Sequence, residues 1–396
     1  MISARAKGIK PSPTLAIDAK VKALQAGGAD VVNLGVGEPD FDTPAHVKEA
    51  AIQAIREGFT KYTPAAGIPA LRDAVAEKFR RDNGLAYARE QVVVSCGAKH
   101  SLYNIAQAIL NPGDEVIIPA PYWVSYPDQV ILNEAKPVIL STEESDGFAL
   151  RPEALEARIT PRTRALILNS PSNPTGCSYP RPVLERIAEV ALRHSLWVIS
   201  DEIYEKIVYD GARHVSIASL GEEIKERTFV VNGLSKSHCM TGWRIGFAAG
   251  PKNVMKAVAN IQSQSTSNPN SIAQKAAVAA LTGPQDFLAA ILREFDARRL
   301  FLLEALNAMP GLSCRRPDGA FYTFPNASRL YGKASGSRRI RGSSDLALYL
   351  LDEAKVAVVP GEAFGADAHI RLSYATSMDN LKRGAGRMRE ALSKLA

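Results

Sequence analysis

With 396 residues the chain is long enough for a large buried core and for more than one domain. Its 46% hydrophobic and 22% charged residues exclude global disorder, and no apolar run reaches the length of a membrane span. A net charge of +7 invites a nucleic-acid reading, but the basic residues are dispersed among 41 acidic ones. The one dense basic patch, "GSRRIRGSS" (336–344), is flanked by Gly and Ser and reads as a solvated loop; a basic surface also attracts an anionic substrate. The opening "MISARAKGIKPSPTL" lacks the apolar stretch of a secretory signal, and no terminal lipidation motif is present. Cys96, Cys177, Cys239 and Cys314 form no C-x-x-C pair, which argues against a zinc site or any disulfide framework. The expectation is a cytoplasmic protein with no metal, no membrane and no nucleic-acid partner.

In chain order, "TPAHVKEAAIQAIREG" (43–58) predicts a helix capped by Thr43, with Pro44 in its first turn and an end at Gly58. "GIPALRDAVAEKFRRDNG" (67–84) repeats the pattern and stops at Gly84. Strand-like runs follow: "VVVS" (92–95), "EVIIP" (115–119), "PVIL" (137–140), "ALILN" (165–169), "WVIS" (197–200), "FVVN" (229–232) and "IGFAA" (245–249). Helical segments such as "PVLERIAEVALRHS" (182–195) lie between several of them. Apolar, β-branched strands alternating with helices predict an α/β fold with a mostly parallel seven-stranded sheet covered on both faces. Beyond it comes a long helix at about 284–308, then "GLSCRRPDGAFYTFP" (311–325). A helix at "SSDLALYLLDEA" (343–354), strands "VAVVP" (356–360) and "IRLSYA" (370–375) and a final helix close the chain. These predict a large domain over 45–295 and a smaller α+β domain from the two chain ends, 1–44 and 296–396.

In such a sheet ligands bind at the carboxyl ends of the strands. Four different strand ends, in "SCGAKHSLYN", "NSPSNPTG", "DEIY" and "GLSKS", present Lys99, Asn173, Asp201, Tyr204 and Lys236 toward one crevice. Each has an ordinary alternative. Cys96-Gly97-Ala98 reads equally as a tight strand-to-helix turn, Asp201 as a helix cap, Trp123 as core and Lys236 as a surface lysine. Taken together they match the needs of pyridoxal 5′-phosphate, a carbonyl cofactor with a phosphate tail. Lys236 offers the amine, Arg244 and the Gly97–Ala98 turn offer phosphate donors, Trp123 a stacking face, and Asp201 a carboxylate for the ring nitrogen.

"SKSHCMTGWRIG", "SPSNPTG", "SDEIY", "NLGVGEPDFDTP", "KYTPAAGIPALRDAV" and "IRLSYA" together resemble class I aminotransferases of pyridoxal-phosphate fold type I. The resemblance runs from about Lys10 to the C-terminal helix. "GEPDFDTP", "APYWVSYP" and "QSTSNPNSIAQ" point to the bacterial branch that contains aspartate aminotransferases. It implies that Lys236 is the Schiff-base lysine and proton shuttle and that Asp201 partners the ring nitrogen. Asn173 and Tyr204 would face the cofactor's phenolic oxygen, and Ser235 and Arg244 its phosphate. Tyr62 matches a tyrosine that reaches the phosphate of a neighbouring subunit, which implies a homodimer with shared sites. Arg371 matches the clamp for the substrate α-carboxylate, with the Gly37 backbone beside it; Trp123 and Asn173 would also touch substrate. A bidentate guanidinium grip fixes orientation as well as charge.

One departure bears on substrate. Other aspartate aminotransferases bind the side-chain carboxylate with an arginine, yet "IQSQSTSNP" (261–269) has none. In the branch resembled here a lysine takes that part, and the matching residue is Lys99. The implied function is transfer of an amino group between aspartate or glutamate and a 2-oxo acid such as 2-oxoglutarate, with ping-pong kinetics. The alternatives are an aromatic or prephenate aminotransferase and, sharing the same residues, a pyridoxal-phosphate lyase. A regulator built on such a domain would need an additional DNA-binding domain, and only Met1 to Val36 precede the "GEPD" motif.

Overall fold

The computed structural model describes residues 2–9 and 13–396; Met1 and residues 10–12, among them the Lys10 where the family resemblance begins, lie outside the described residues. At its centre is a seven-stranded sheet of β1 (Val92–Ser95), β2 (Glu115–Ala120), β3 (Lys136–Ser141), β4 (Thr163–Asn169), β5 (Trp197–Asp201), β6 (Thr228–Gly233) and β7 (Gly246–Ala249). The spatial order is β1-β7-β6-β5-β4-β2-β3. All neighbours are parallel except β7, which runs antiparallel to both β1 and β6. The seven strand-like runs of the sequence are these seven strands. Their unbroken apolar character follows from burial on both faces. Val93, Val116, Ile167, Ile199 and Val231 point into one core cluster. Their chain neighbours Val92, Val94 and Val230 enter a second core, and Ile117, Leu166 and Val198 a third. Each such Val or Ile side chain taken fully out of water contributes roughly 1.5–3 kcal/mol.

The two chain ends meet in a smaller α+β unit. Val32–Asn33 pairs in parallel with Val356–Ala357, so the N-terminal segment is stitched to the C-terminal part of the chain. Ile370–Ser373 is the middle strand of a three-stranded antiparallel sheet, between Val359–Pro360 and Tyr322–Thr323. The long helix Phe287–Asn307 buries Phe295, Leu302 and Leu306 in one cluster with Leu34, Tyr322, Leu372 and Met388. Its Arg299 is fully buried, donating to Asp210 from both terminal nitrogens (2.9 and 3.0 Å) and to the Pro317 carbonyl at 2.7 Å. Among the described residues no helix is long and apolar enough to cross a membrane.

Two local expectations are corrected. Thr43 does not cap the helix Ala45–Arg56, whose N-cap is Pro44 with no side-chain cap bond. Thr43 Oγ1 instead donates to the Cys239 carbonyl at 2.7 Å and accepts from Trp243 Nε1 at 2.9 Å; these tertiary partners outcompete the local helix. Part of the basic patch, Arg338–Arg339, is strand rather than loop, paired with Ala334–Ser335 in a small hairpin. Arg338 there donates to Asp352 at 2.6 Å, and Arg341 just beyond it to Asp345 at 2.8 Å. Carboxylates of this same chain occupy these guanidinium groups.

Candidate active site

The carboxyl ends of β1, β4, β5 and β6 open into a cavity of about 700 Å³, closed on the far side by Gly35–Glu38, Tyr322 and Arg371 of the smaller unit. Lys236 follows β6 and extends its Nζ into this space, 2.6 Å from the Gly37 carbonyl that accepts its hydrogen bond. Burial pushes the ammonium down to about 8; Arg371 and Arg244 push the same way, while Glu38 and Asp201 oppose them. Asp201, the last residue of β5, is buried and its carboxyl is pushed up to about 6 by desolvation. A hydrogen bond from Tyr126 Oη at 2.7 Å works against that rise. Amine and carboxyl are therefore both drawn toward neutrality, as acid–base chemistry near neutral pH requires.

Arg371 lies in the middle strand of the small sheet and is fully enclosed. Its Nη1 donates to Asn173 Oδ1 at 2.9 Å and its Nη2 to the Gly35 carbonyl at 2.6 Å, while Nε is buried without a partner. The guanidinium also lies 4.5 Å from the Tyr322 ring centroid. A buried cation held only by neutral acceptors, with a donor unused, is built for an anion.

A second anion cradle forms where β1 turns into the helix Ala98–Ile109. Gly97 is its N-cap, at φ 91°, and Arg244 folds over the turn, donating to the Cys96 carbonyl at 3.2 Å. A Cβ on Gly97 would come within 2.3 Å of the Arg244 guanidinium, so only glycine permits this approach. The first-turn amides of the helix and the guanidinium thus face one place, an arrangement suited to phosphate.

A family model described as aminotransferase class I and II matches residues 29–388. The chain belongs to this family. The aspartate aminotransferase of Geobacillus stearothermophilus is 51% identical over 387 residues, 98% of each chain. A probable aspartate/prephenate aminotransferase of Rickettsia bellii is 50% identical over 397 residues, covering all of both chains. The crystal structure of the aspartate aminotransferase from Rhizobium meliloti superposes with a TM-score of 0.97, at 50% identity and full coverage of both chains. The fold is thus that of the fold type I aminotransferases.

Of the site residues expected from its sequence, this aminotransferase brings Gly37, Ala98, Lys99, Trp123, Asn173, Asp201, Tyr204, Ser235, Lys236, Arg244 and Arg371 to the wall of the cavity. Gly97 lies just behind Arg244 rather than on the wall. Tyr62 is elsewhere: it is 91% exposed and lines a separate depression with Phe59, Pro64 and Lys275. Lys99 Nζ sits 4.8 Å from the Trp123 ring centroid, and burial, then Arg244, lower its pKa against the pull of Asp128. The Tyr204 hydroxyl is 2.8 Å from that of Tyr322.

Among the wall residues of the aminotransferase that sequence reasoning missed are Glu38, Tyr126, Asn169, Thr241 and Tyr322. Tyr126 enters the helix Ser125–Leu132 three residues after Trp123, and its ring packs 5.3 Å from the Trp123 ring, a contact the sequence did not mark. Asn169 ends β4, where the strand-end argument already pointed; its Nδ2 donates to the Asp201 carbonyl at 2.9 Å and its Oδ1 accepts from the Asn173 amide at 2.8 Å. Tyr322 gave no signal, because only tertiary folding brings it to Gly37, where an added Cβ would lie 2.8 Å from its hydroxyl.

Proposed function

We propose that this aminotransferase moves the amino group of aspartate or glutamate to a 2-oxo acid such as 2-oxoglutarate, using pyridoxal 5′-phosphate. The observation that carries the reading is the enclosed pair of Lys236 and Arg371 in one cavity, with the Arg244 guanidinium folded over the helix-opening turn at Gly97. The residues fit the cofactor. The Gly97–Ala98 turn, Ser235 and Arg244 would hold its phosphate, Trp123 would cover its ring, Asp201 would face the ring nitrogen, and Asn173 and Tyr204 the phenolic oxygen. When bound, it supplies a carbonyl that takes up the donor's amino group and a ring that draws electrons from Cα.

The chain's own groups do the rest. Arg371 binds the α-carboxylate and orients the Cα–H bond. Lys236 Nζ, brought to about 8 by burial, removes the Cα proton and later returns one. Tyr126 keeps the Asp201 carboxylate aimed and hydrogen-bonded. Lys99, at the cavity wall over Trp123, meets the side-chain carboxylate of a dicarboxylic donor. A lysine is a point charge rather than a fork, so it discriminates less sharply than arginine. That property, and the aspartate/prephenate name of the Rickettsia bellii relative, favour aromatic or prephenate-type 2-oxo acids as the second reading.

The remaining proposals are a homodimer in which Tyr62 of one copy completes the neighbour's site, domain boundaries near residues 45 and 295, and a cytoplasmic location. Exposure of Tyr62 outside its own cavity supports the first. Four unpaired cysteines support the last. The decisive experiment is the visible spectrum of protein loaded with pyridoxal phosphate, recorded as aspartate, glutamate, phenylalanine and alanine are added in turn. Bleaching by aspartate and glutamate alone establishes dicarboxylate transfer; equal bleaching by phenylalanine moves the assignment to the broader enzyme. Bleaching by none of the four, or a protein that develops no chromophore, defeats the reading.

A further inference from the structure

The turn that carries Asp201 and Tyr204 has a second, equally buried face. Glu202 and Glu205 point away from the cavity into a closed polar cluster. Glu202, at 0% exposure, accepts from Ser200 Oγ at 2.8 Å and Ser216 Oγ at 2.7 Å through Oε1, and its Oε2 lies 2.9 Å from His214 Nε2. Glu205 is ion-paired to the buried Lys78 of the helix Pro69–Asn83. Asn83 closes the ring, donating to Glu205 Oε2 at 2.9 Å and accepting from Lys78 Nζ at 2.8 Å. None of these groups reaches the cavity, yet the Glu205 amide donates to the Glu202 carbonyl at 2.9 Å, so the cluster grips the same turn that holds Asp201.

The charge count is strict. Buried carboxylates need cationic partners. Lys78 serves Glu205, which leaves His214 as the cation for Glu202. The titratable groups around His214 are Glu202, Glu205 and Lys78; burial and Lys78 disfavour its protonation, but the two carboxylates prevail and raise its pKa. With both carboxylates ionised, the cluster is neutral when His214 is an imidazolium. Ligand atoms of Glu202, Glu205 and His214 also lie within 4.8 Å of one another, as a metal would require. A metal there would have to displace the ammonium of Lys78 from Glu205, so the geometry favours the ion-pair reading.

We propose that His214, as an imidazolium paired with Glu202, is a positioning residue for amino-group transfer: it neutralises the carboxylate directly behind Asp201 and thereby sets the proton affinity of the site. The inference rests on the transamination reading above, since it assigns His214 no role apart from the Asp201 turn. Replacing His214 by Gln leaves the cluster with one uncompensated negative charge. Replacing Glu202 by Gln, or both together, leaves it neutral, because a histidine without Glu202 gives up its proton.

The test is a pH titration of the visible absorption of the holoenzyme, with kcat and KM measured alongside, for the wild type, His214→Gln, Glu202→Gln and the double variant. His214→Gln is expected to move the spectroscopic midpoint upward by about half to one pH unit, because an uncompensated negative charge behind Asp201 favours the protonated form of the site. Its kcat is expected to fall about tenfold with KM changed less than about twofold, the signature of a lost interaction that acts on the chemical step rather than on binding. Glu202→Gln and the double variant should keep the wild-type midpoint, and the double variant should recover most of the lost kcat. Identical behaviour of His214→Gln and the double variant, or an unmoved midpoint in His214→Gln, overturns the proposal, as does one equivalent of zinc in the purified protein that is lost on His214→Gln. Should His214→Gln not fold, histidine NMR on the cofactor-free protein decides. The His214 resonance must titrate at lower pH in Glu202→Gln than in the wild type, and an unchanged midpoint sinks the idea. That measurement involves no catalysis. A wild type that transaminates nothing therefore defeats the function reading while the charge pairing is still read directly.

Discussion

At the residue scale, Lys236 combines reactivity with a stability cost. Its ammonium titrates at about 8 in the folded chain against an ordinary 10.5. Between those values the unfolded chain binds more protons than the folded one, so stability rises with pH through that window. The cost of holding the buried charge is fully present below pH 8 and gone above 10.5. Lys236→Met is therefore expected to stabilise the cofactor-free protein at pH 7 by on the order of 3 kcal/mol. Chemical denaturation at pH 7 and pH 10 checks this, since the gain must shrink at the higher value. Lys236→Ala should lower transamination at least about a thousandfold with an intact fold by circular dichroism, as loss of the acid–base group demands. Undiminished turnover would falsify its assignment. Lys99→Ala should cost aspartate roughly ten- to a hundredfold in kcat/KM, the worth of one charged hydrogen bond, and phenylalanine less than about threefold. Equal losses remove Lys99 from substrate selection. The cationic and acidic members of the site were legible because lysine, arginine and aspartate at strand ends are chemically conspicuous. Tyr126 and Tyr322 were not, because a tyrosine looks the same in sequence whether it fills a core or lines a cavity.

At the element scale, the proposed phosphate cradle depends on a glycine that is not on the cavity wall. Gly246 begins β7, and a Cβ there would stand 2.1 Å from the Ala98 amide nitrogen and 2.3 Å from the Gly97 carbonyl carbon. The obstruction is backbone, which cannot rotate away. Gly246→Ala is expected to push the strand from the helix Ala98–Ile109, costing about 1–3 kcal/mol as overpacking does. It should also weaken pyridoxal phosphate binding more than tenfold, on the order of one lost charged hydrogen bond. Equilibrium dialysis gives the affinity, and a wild-type value disproves the role given to this contact. The strands themselves were legible from their continuous apolar runs, and the helix from Pro69 to Asn83 from its Pro start and its Gly84 stop in the left-handed region. Thr43 was misread for a physical reason. A threonine before a proline and an apolar helix matches a cap locally, but its hydroxyl finds Cys239 and Trp243, 196 and 200 residues away along the chain.

At the scale of the whole molecule, Tyr62 is the residue that one copy cannot explain. It is 91% exposed and outside the cavity that holds every other cofactor-facing residue except Gly97. The proposed homodimer with shared sites would account for it. Sedimentation equilibrium should then give about twice the 42.7 kDa of one chain. Tyr62→Ala should raise the dissociation constant of pyridoxal phosphate about tenfold while that mass is retained, as loss of one hydrogen bond to an anion predicts. A monomer with unimpaired cofactor affinity defeats the assignment.

By itself the sequence determined the seven strands, the covering helices and the family, and it named the charged residues that the fold brings to one cavity. Those follow from local rules: the spacing of apolar residues, the turn chemistry of Gly and Pro, and motifs whose residues lie within a dozen positions of one another. Only the tertiary structure decided how those charges are tuned. The fall of Lys236 and the rise of Asp201 come chiefly from burial, and burial is a property of what folds over a residue. Arg371 meets Asn173 and Gly35, 198 and 336 positions away, only where the C-terminal sheet packs against the N-terminal segment and the loop after β4. The contact of His214 with Glu202 behind Asp201 belongs to the same class: Glu202 stands in the "SDEIY" motif, but nothing in that motif points to His214, twelve residues on, and the two meet through burial.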